Sequence, residues 1–486
     1  MRINYQFLGI LNLVIKMKDE IKRIQDEFKN IPDLKIKEIR IGLIKKVYVV
    51  FLESICDEDK INDYILKNLT KYNKASNLNS NLPSPITIKI KNLDEYEFYL
   101  TNGYACVIGN KHNYAVEVKG NLNRAVDTSN REPSIVGPLD AFNENYNTNL
   151  GLIKRRIKSS HLKSEEFYLG RVTNTKMSIN YIDNIADYNN VELIKKKLAN
   201  IDIDGILDVG TLINYIEGEN KSVFPTIKKT ERPDLASDAL LEGKIVILLD
   251  TSPFAIILPS FLIDFINPIN DNYVKSINVA FLKVLRAVAF LISILAPALF
   301  IATINYNQET IPSSLLINFS TQRAGVPFPG IVEILILLLI CDILRESDLR
   351  FPTNFGSAVS ILGALIIGEA AVNAGIVSPI MIIITSLTFI SSLLFTEIEI
   401  GNALRYYRYV LLFFAAIFGL YGIFLGLMLF LINIISTKSL NAPYFAPISP
   451  FNKNYFFKTA LKQKDRNNTK RSILITNSNL TKGKFK

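Results

Sequence analysis

Two apolar runs placed back to back restrict most what this chain can become. The run from Ser357 to Ile376 carries a single ionisable residue, Glu369, and the next, Val377 to Phe395, carries none. At about 1.5 Å of rise per helical residue, each run can cross a hydrocarbon core about 30 Å thick. They lie in a block, residues 284–436, that is apolar apart from short charged loops, so a membrane protein is expected. The turn signals between them are Gly375, Ser378 and Pro379, which predict a tight helical hairpin with one carboxylate deep inside.

Residues 1–283 mix charge and apolar residues as a globular protein does, so the chain divides into a soluble part and a membrane part. The three cysteines, Cys56, Cys106 and Cys341, form no CxxC pair, which argues against a disulfide framework or a zinc site. With two histidines, His112 and His161, imidazole catalysis and metal binding have little to work with, and solvated surface positions are expected for both. Part of the net charge of +10 lies in the tail after Thr437, including Lys438, Lys453, Lys458, Lys462, Lys464, Arg466, Lys470 and Arg471. Close to a membrane exit, that tail reads as a cytoplasmic anchor to anionic lipid and not as a nucleic-acid patch. Phe7 to Ile15 is too short for a signal peptide, is interrupted by Asn12 and leads into acidic residues; Met17 is an alternative start.

Along the chain, Ile21, Ile24 and Phe28 predict a helix over 18–29, Leu43–Phe51 a strand and Asp57–Leu69 a helix. Ile86–Ile90 reads as a further strand, and Tyr104–Ile108 with Tyr114–Lys119 as a β-hairpin closing a first α/β subdomain, 18–130. A linker with Arg131, Glu132 and Pro133 enters a helix from Leu139 to about Ile157, with Arg155 and Arg156 in its last turn where the dipole favours cations. Strand Met177–Tyr181, helix Asn190–Leu198 and strand Gly205–Val209 have the spacing of a βαβ crossover. Helix Ala236–Glu242 and the paired strands Lys244–Leu249 and Phe254–Leu258 complete a second α/β subdomain, 131–283.

The membrane helical domain, 284–436, starts with a span Ala287–Ile304 bearing Pro297, then a polar loop Asn305–Pro329. Ile331–Leu344 carries Glu333 and Asp342 near its ends, so a helix inside the protein, re-entrant or lining a cavity, is expected. The last run, Val410–Ile435, would be about 39 Å long as one helix and must tilt or protrude. Its Ala415, Gly419, Gly422 and Gly426 form a small-residue face for close helix packing. Five full spans would put the basic flank at Lys283 and Arg286 on the side opposite the basic tail, 437–486. Ile331–Leu344 is therefore taken as the segment that does not cross, which places Arg345, Arg350, Arg405 and Arg408 outside.

Phosphate-loop, GxGxxG, GxSxG and HExxH patterns are absent, and no cofactor is implied. The polar residues at membrane depth are Glu333, Asp342, Glu369 and Asn373. A carboxylate in hydrocarbon costs several kcal/mol unless paired, neutralised or hydrated, so these four are the pore and gating candidates. Pairing as structural glue is the competing reading. A secondary transporter with helices broken at Pro297 and Pro329 is one alternative class, and a membrane-anchored enzyme with a catalytic α/β part is another.

The run Arg131-Glu-Pro-Ser-Ile-Val-Gly-Pro-Leu-Asp-Ala-Phe-Asn-Glu-Asn145, with Ile153-Lys-Arg-Arg-Ile157, Thr230-Glu-Arg-Pro-Asp234 and Gly325-Val-Pro-Phe-Pro329, resembles the A subunits of spore germinant receptors, the GerA family. Ile343-Leu-Arg-Glu346 and Ile366-Ile-Gly-Glu-Ala-Ala-Val-Asn-Ala-Gly-Ile-Val-Ser-Pro379 extend the resemblance, with Glu369 standing where the family pattern has Gln. The resemblance implies a non-enzymatic, multi-pass subunit in the spore inner membrane, its N-terminal domain and tail cytoplasmic. It would act with B and C subunits in nutrient-triggered germination and would assemble as a homo-oligomer around a path for monovalent cations.

Overall fold

In the computed structural model, the first half of the chain forms two five-stranded antiparallel sheets. The structure describes residues 16–41, 45–71, 82, 84, 86–109, 112–120, 132, 137–218, 222–350, 368–395, 397–453, 456, 470–476 and 479–482. Arg131, Pro133, the stretch Phe7–Ile15 and most of the run Ser357–Ile376 lie outside the described residues.

In the first sheet, β1 (Leu34–Ile41), β2 (Lys45–Leu52), β3 (Thr87–Ile90), β4 (Tyr104–Ile108) and β5 (Asn113–Glu117) lie in the order β1-β2-β4-β5-β3. Ile21 and Ile24 of α1 (16–27) join the core under this sheet. Asp57 starts α2 (Glu58–Ile61) by accepting from the Asp59 and Lys60 amides, and the helix passes through a π segment, Asn62–Leu66, into α3 (Lys67–Lys71). The hairpin of β4 and β5 is as expected. Strand β1 and α4 (Glu95–Thr101) are additional; Lys35, Lys37, Glu38 and Arg40 hide β1 in the sequence, as charges on an edge strand do.

The second sheet repeats the first. β6 (Leu162–Leu169), β7 (Thr175–Ile182), β8 (Lys228–Thr230), β9 (Ile245–Leu249) and β10 (Ala255–Leu258) lie in the order β6-β7-β9-β10-β8, the same permutation of first, second, fourth, fifth and third strands. Strand β9 is buried on both faces. Ile245, Ile247 and Leu249 pack beneath α6 (Tyr188–Ala199) and α7 (Val209–Glu217), while Val246 and Leu248 pack beneath α5 (Tyr146–Arg156) and α8 (Pro233–Glu242). The expected βαβ crossover is overturned, because β7 pairs with β9 antiparallel and Gly205–Val209 forms no strand. Asp208 there accepts from the Gly210 amide and starts α7. The linker helix also starts later than Leu139, at Tyr146, where Asn145 accepts from the Thr148 amide.

The two sheet units meet at a buried ion pair. Asp33, beside β1, accepts from the Lys154 ammonium on α5 and, at 2.5 Å, from the Ser54 hydroxyl. Burial alone would push the Asp33 carboxyl up; the ammonium and these hydrogen bonds overcome that and hold it below the usual range. The stabilisation is therefore complete above the ordinary carboxylate pKa of about 4 and is lost as pH falls below it, through the lowered folded value. Urea unfolding of wild type and Asp33→Asn between pH 7 and pH 3 checks this: the wild type loses its advantage with acidification, and parallel curves would refute it.

The second half is helical: α9 (Leu262–Ile266), α10 (Ser276–Tyr306), α11 (Ser313–Arg323), α12 (Gly330–Arg350), α13 (368–373), α14 (Pro379–Leu393) and α15 (Ile398–Ser436). The loop expected over Asn305–Pro329 contains α11, and the charged helix at Lys283 and Arg286 is continuous with the first span. Helices α10 and α15 are long and apolar enough to cross a membrane.

Helix α15 is not one rod. Gly419 has φ 58° and ψ −137°, a conformation open essentially to glycine, and the chain reverses there. Tyr407 and Phe430 would be about 35 Å apart along a straight helix, yet their rings lie 5.0 Å apart, edge to face. A Cβ on Gly422 would fall 1.9 Å from the Phe414 carbonyl oxygen and one on Gly426 2.6 Å from Leu411, so the small residues let the two halves touch. The Tyr306 hydroxyl donates to the carbonyls of Ala416 and Ile417, two acceptors freed by the reversal.

The expectation of one tilted or protruding helix over Val410–Ile435 is corrected accordingly. Both ends of the hairpin sit on the second sheet unit: Glu397 and Glu399 pair with Lys228 and Lys229, and Ser439, just past Ser436, donates to the Thr226 carbonyl. The apolar run that departs from a single straight helix is thus the last one. Ile331–Leu344 belongs to the 21-residue α12, whose ends approach opposite ends of α14. Arg345 lies against Gly401, one turn into α15, so Arg345, Arg405 and Arg408 gather at the end facing the soluble units and not the far end.

The described part of the tail packs in part on the second sheet unit. Strands β11 (Lys438–Ser439) and β12 (Ala442–Pro443) pair beneath Ser260 and Phe261. Arg471 donates to the Leu241 carbonyl in the last turn of α8, where a cation suits the helix dipole, and Lys482 pairs with Glu242.

Candidate functional site

Of the four acidic and amide candidates, the structure consumes two inside the bundle and leaves two on its surface. Glu333, fully buried in the first turn of α12, accepts at 2.5 Å from both the backbone amide and the hydroxyl of Ser378, the N-cap of α14. A carboxylate at a helix N-terminus is electrostatically favoured, so Glu333 pins the start of α14. Its second oxygen faces Arg323 Nε at 3.9 Å and has no hydrogen-bond donor among the described residues.

Asp342, two and a half turns on, accepts from Arg408 Nη2 at 3.0 and 3.1 Å and from the Tyr409 hydroxyl at 2.6 Å. Arg405 approaches the same carboxylate at 4.0 Å. Arg408 is 2% exposed and lies over the Tyr409 ring. One aspartate thus ties α12 to the first half of the hairpin.

Glu369 and Asn373 differ. They stand one turn apart on α13, both exposed, and neither has a hydrogen bond or ion pair among the described residues. They precede the turn at Gly375, whose φ of 64° suits glycine, and Ser378, which Glu333 holds.

Within the linker, Glu132 Oε2 accepts from the Thr230 hydroxyl at 2.6 Å and the Glu231 amide at 3.2 Å, which fastens the linker to β8. Burial raises its carboxyl above the usual range, with the Lys228 ammonium opposing the rise. Arg156 forms a two-pronged pair with Asp140 at 2.5 and 2.6 Å and donates to the Leu152 carbonyl; Arg155 is exposed. His112 and His161 are exposed, Cys56 and Cys106 are buried free thiols, and burial pushes the Cys56 thiol up to about 12. Among the described residues, no group of three or more His, Cys, Asp or Glu side chains is placed to hold a metal ion.

Residues 22–472 match the model of the Bacillus/Clostridium GerA spore germination protein family. The chain belongs to the GerA family. It is 35% identical over 430 residues to spore germination protein KA of Bacillus subtilis (strain 168), covering 86% of this chain and 79% of that protein. It is 32% identical over 451 residues to spore germination protein GerLA of Bacillus cereus, covering 91% and 92%. The crystal structure of the N-terminal domain of the A subunit of the Bacillus megaterium spore germinant receptor GerK3 matches 50% of this chain and 94% of that one, at 31% identity and a TM-score of 0.38.

In this GerA-family chain, two features of the site were not singled out from sequence. Arg408 and Tyr409 complete the Asp342 cluster; an arginine pair bordering a 26-residue uncharged run was the available signal. Phe224, which packs between the halves of the hairpin, gave none.

Proposed function

We propose that this chain is the A subunit of a nutrient-sensing spore germinant receptor. It lies in the spore inner membrane, with its sheet units and tail in the cytoplasm and B and C subunits as partners. Several copies surround a path for monovalent cations lined by Glu369 and Asn373. Neither catalysis nor nucleic-acid binding is part of this reading. Lipid contacts the outside of the bundle.

The observation that carries it is the division among the carboxylates. Glu333 and Asp342 are held by partners inside the bundle, whereas Glu369 and Asn373 are exposed and have no partner among the described residues. An acid at membrane depth needs water or charge beside it, and a ring of such acids from neighbouring copies favours cations. The reversal of α15 supports the proposed topology, because an even number of passes returns the tail to the side of the sheet units. A transporter with helices broken near the midplane gains little from the hairpin: the Gly419 break packs against Tyr306, the last residue of α10.

Charged clefts raise local ion concentration by roughly 10- to 10³-fold, so Glu369→Gln is expected to slow nutrient-triggered potassium release from spores by at least about tenfold at unchanged protein level. Release at the wild-type rate would remove Glu369 from the path.

A further inference from the structure

The second sheet unit reaches into the helical bundle through one short segment, residues 222–230. Phe224, 2% exposed, stacks on Tyr407 of the first half of the α15 hairpin, with ring centroids 5.5 Å apart and planes 15° apart. It also meets Phe430 of the second half edge to face at 5.8 Å. One ring from the soluble part is thus a wedge between two antiparallel helices. Beside it, the Ser222 hydroxyl donates to Asn433 and accepts from Thr437, so the exit of the hairpin is held by the same segment.

Six residues later the segment becomes β8, and its two lysines grip the entrance of the hairpin. Lys228 reaches Glu397 at 3.5 Å and donates to the Asp264 carbonyl at 2.7 Å; Lys229 reaches Glu399 at 2.7 Å. Thr230 and Glu231, at the end of β8, hold the linker carboxylate Glu132. The path continues beyond the hairpin through Arg408 and Asp342 to α12, then through Glu333 to Ser378 at the turn that follows Glu369 and Asn373. Every step is a packed ring, a hydrogen bond or an ion pair.

We infer that Phe224 and Lys228 are positioning residues that transmit displacement of the second sheet unit to the α15 hairpin and so set the position of the helices carrying Glu369. The inference rests on the receptor reading proposed above. Phe224 holds the two halves at a fixed spacing, and Lys228, paired with Glu397 on the strand whose end holds Glu132 through Thr230 and Glu231, ties the linker and the hairpin entrance to one strand. Sheet-unit motion therefore cannot occur without load on α15.

The test uses the full chain with its partner subunits in spores, challenged with a mixture of the L-amino acids, glucose and inosine. Allosteric couplings span about 5- to 150-fold. Phe224→Ala is accordingly expected to raise the nutrient concentration for half-maximal germination at least about tenfold at unchanged membrane level, with Phe224→Tyr near wild type. Lys228→Met leaves Glu397 without its cation and is expected to blunt the response, and Lys228→Met/Glu397→Gln to recover it. A merely structural role would lower protein level without this pattern of rescue.

A wild-type dose response in Phe224→Ala at normal protein level overturns the inference. If Phe224→Ala fails to accumulate, the Lys228 arm decides, and a Lys228→Met response that is normal, or unrescued by Glu397→Gln, overturns it equally. Conductance of wild-type assemblies in vesicles separates the two readings: lost spore responses with vesicles that never conduct refute the ion path and leave the transmission role standing.

Discussion

Substituting alanine at both Gly419 and Gly422 is expected to open the α15 hairpin and carry the tail to the opposite side of the membrane. At Gly419 a Cβ meets Tyr306 Cβ and Cγ at 2.9 Å, in a backbone conformation that costs a non-glycine residue about 1–3 kcal/mol. At Gly422 the Cβ would lie 1.9 Å from the Phe414 carbonyl oxygen and 2.5 Å from its carbon. Those are backbone atoms, so the helix halves must separate, and overpacking of this kind typically costs a further ~1–3 kcal/mol. Separation also breaks the contact between Tyr407 and Phe430 and frees the Tyr306 hydroxyl from Ala416 and Ile417. The alternative available to 39 residues of this composition is one straight helix about 58 Å long.

That alternative changes the side on which Ser436 ends. In a background lacking the three native cysteines, Lys438→Cys should react with a membrane-impermeant maleimide only from the side of the sheet units. With the two alanines added, labelling is expected from the far side. Unchanged labelling would show that sequence beyond the two glycines fixes the reversal.

Much of the soluble part was legible because burial leaves a period in the sequence. The β4/β5 and β9/β10 hairpins are nearly continuous apolar strands bounded by turn residues, and both stand where expected. The misreadings share another cause. Gly205–Val209 is as rich in apolar residues as a strand, but the N-cap Asp208 made it the entry of a helix, a choice decided by one local hydrogen bond. Charged β1 could not announce itself, since an edge strand shows one face to water. The duplication of the two sheets was invisible because it preserves strand order and not side chains.

In the bundle, composition identified the apolar runs and the small-residue face but not the reversal. GxxxG spacing is equally suited to contact between chains and between halves of one chain, and the backbone at Gly419 decides. Carboxylate positions were legible and their roles were not. Glu333 and Asp342 find partners 45 and 66 residues away, distances over which a sequence carries no visible pairing signal.

Replacing Arg408 with methionine is expected to destabilise the assembled bundle by about 3–5 kcal/mol, the usual cost of leaving one member of a buried pair uncompensated. Asp342 would keep the Tyr409 hydroxyl and Arg405 at 4.0 Å, neither of which replaces the two contacts from Arg408 Nη2. Removing both charges in Arg408→Met/Asp342→Asn should restore most of the loss, because a buried pair contributes little net stability once its desolvation is counted. Thermal unfolding in detergent and steady-state level in the membrane read both effects. The same pair of variants separates glue from path. If Asp342 acts only by binding α12 to the hairpin, Asp342→Asn alone costs stability and the double variant recovers stability and potassium release together. If release stays lost while stability returns, the carboxylate itself faces the ions, and the division between consumed and presented acids must be redrawn with Asp342 beside Glu369.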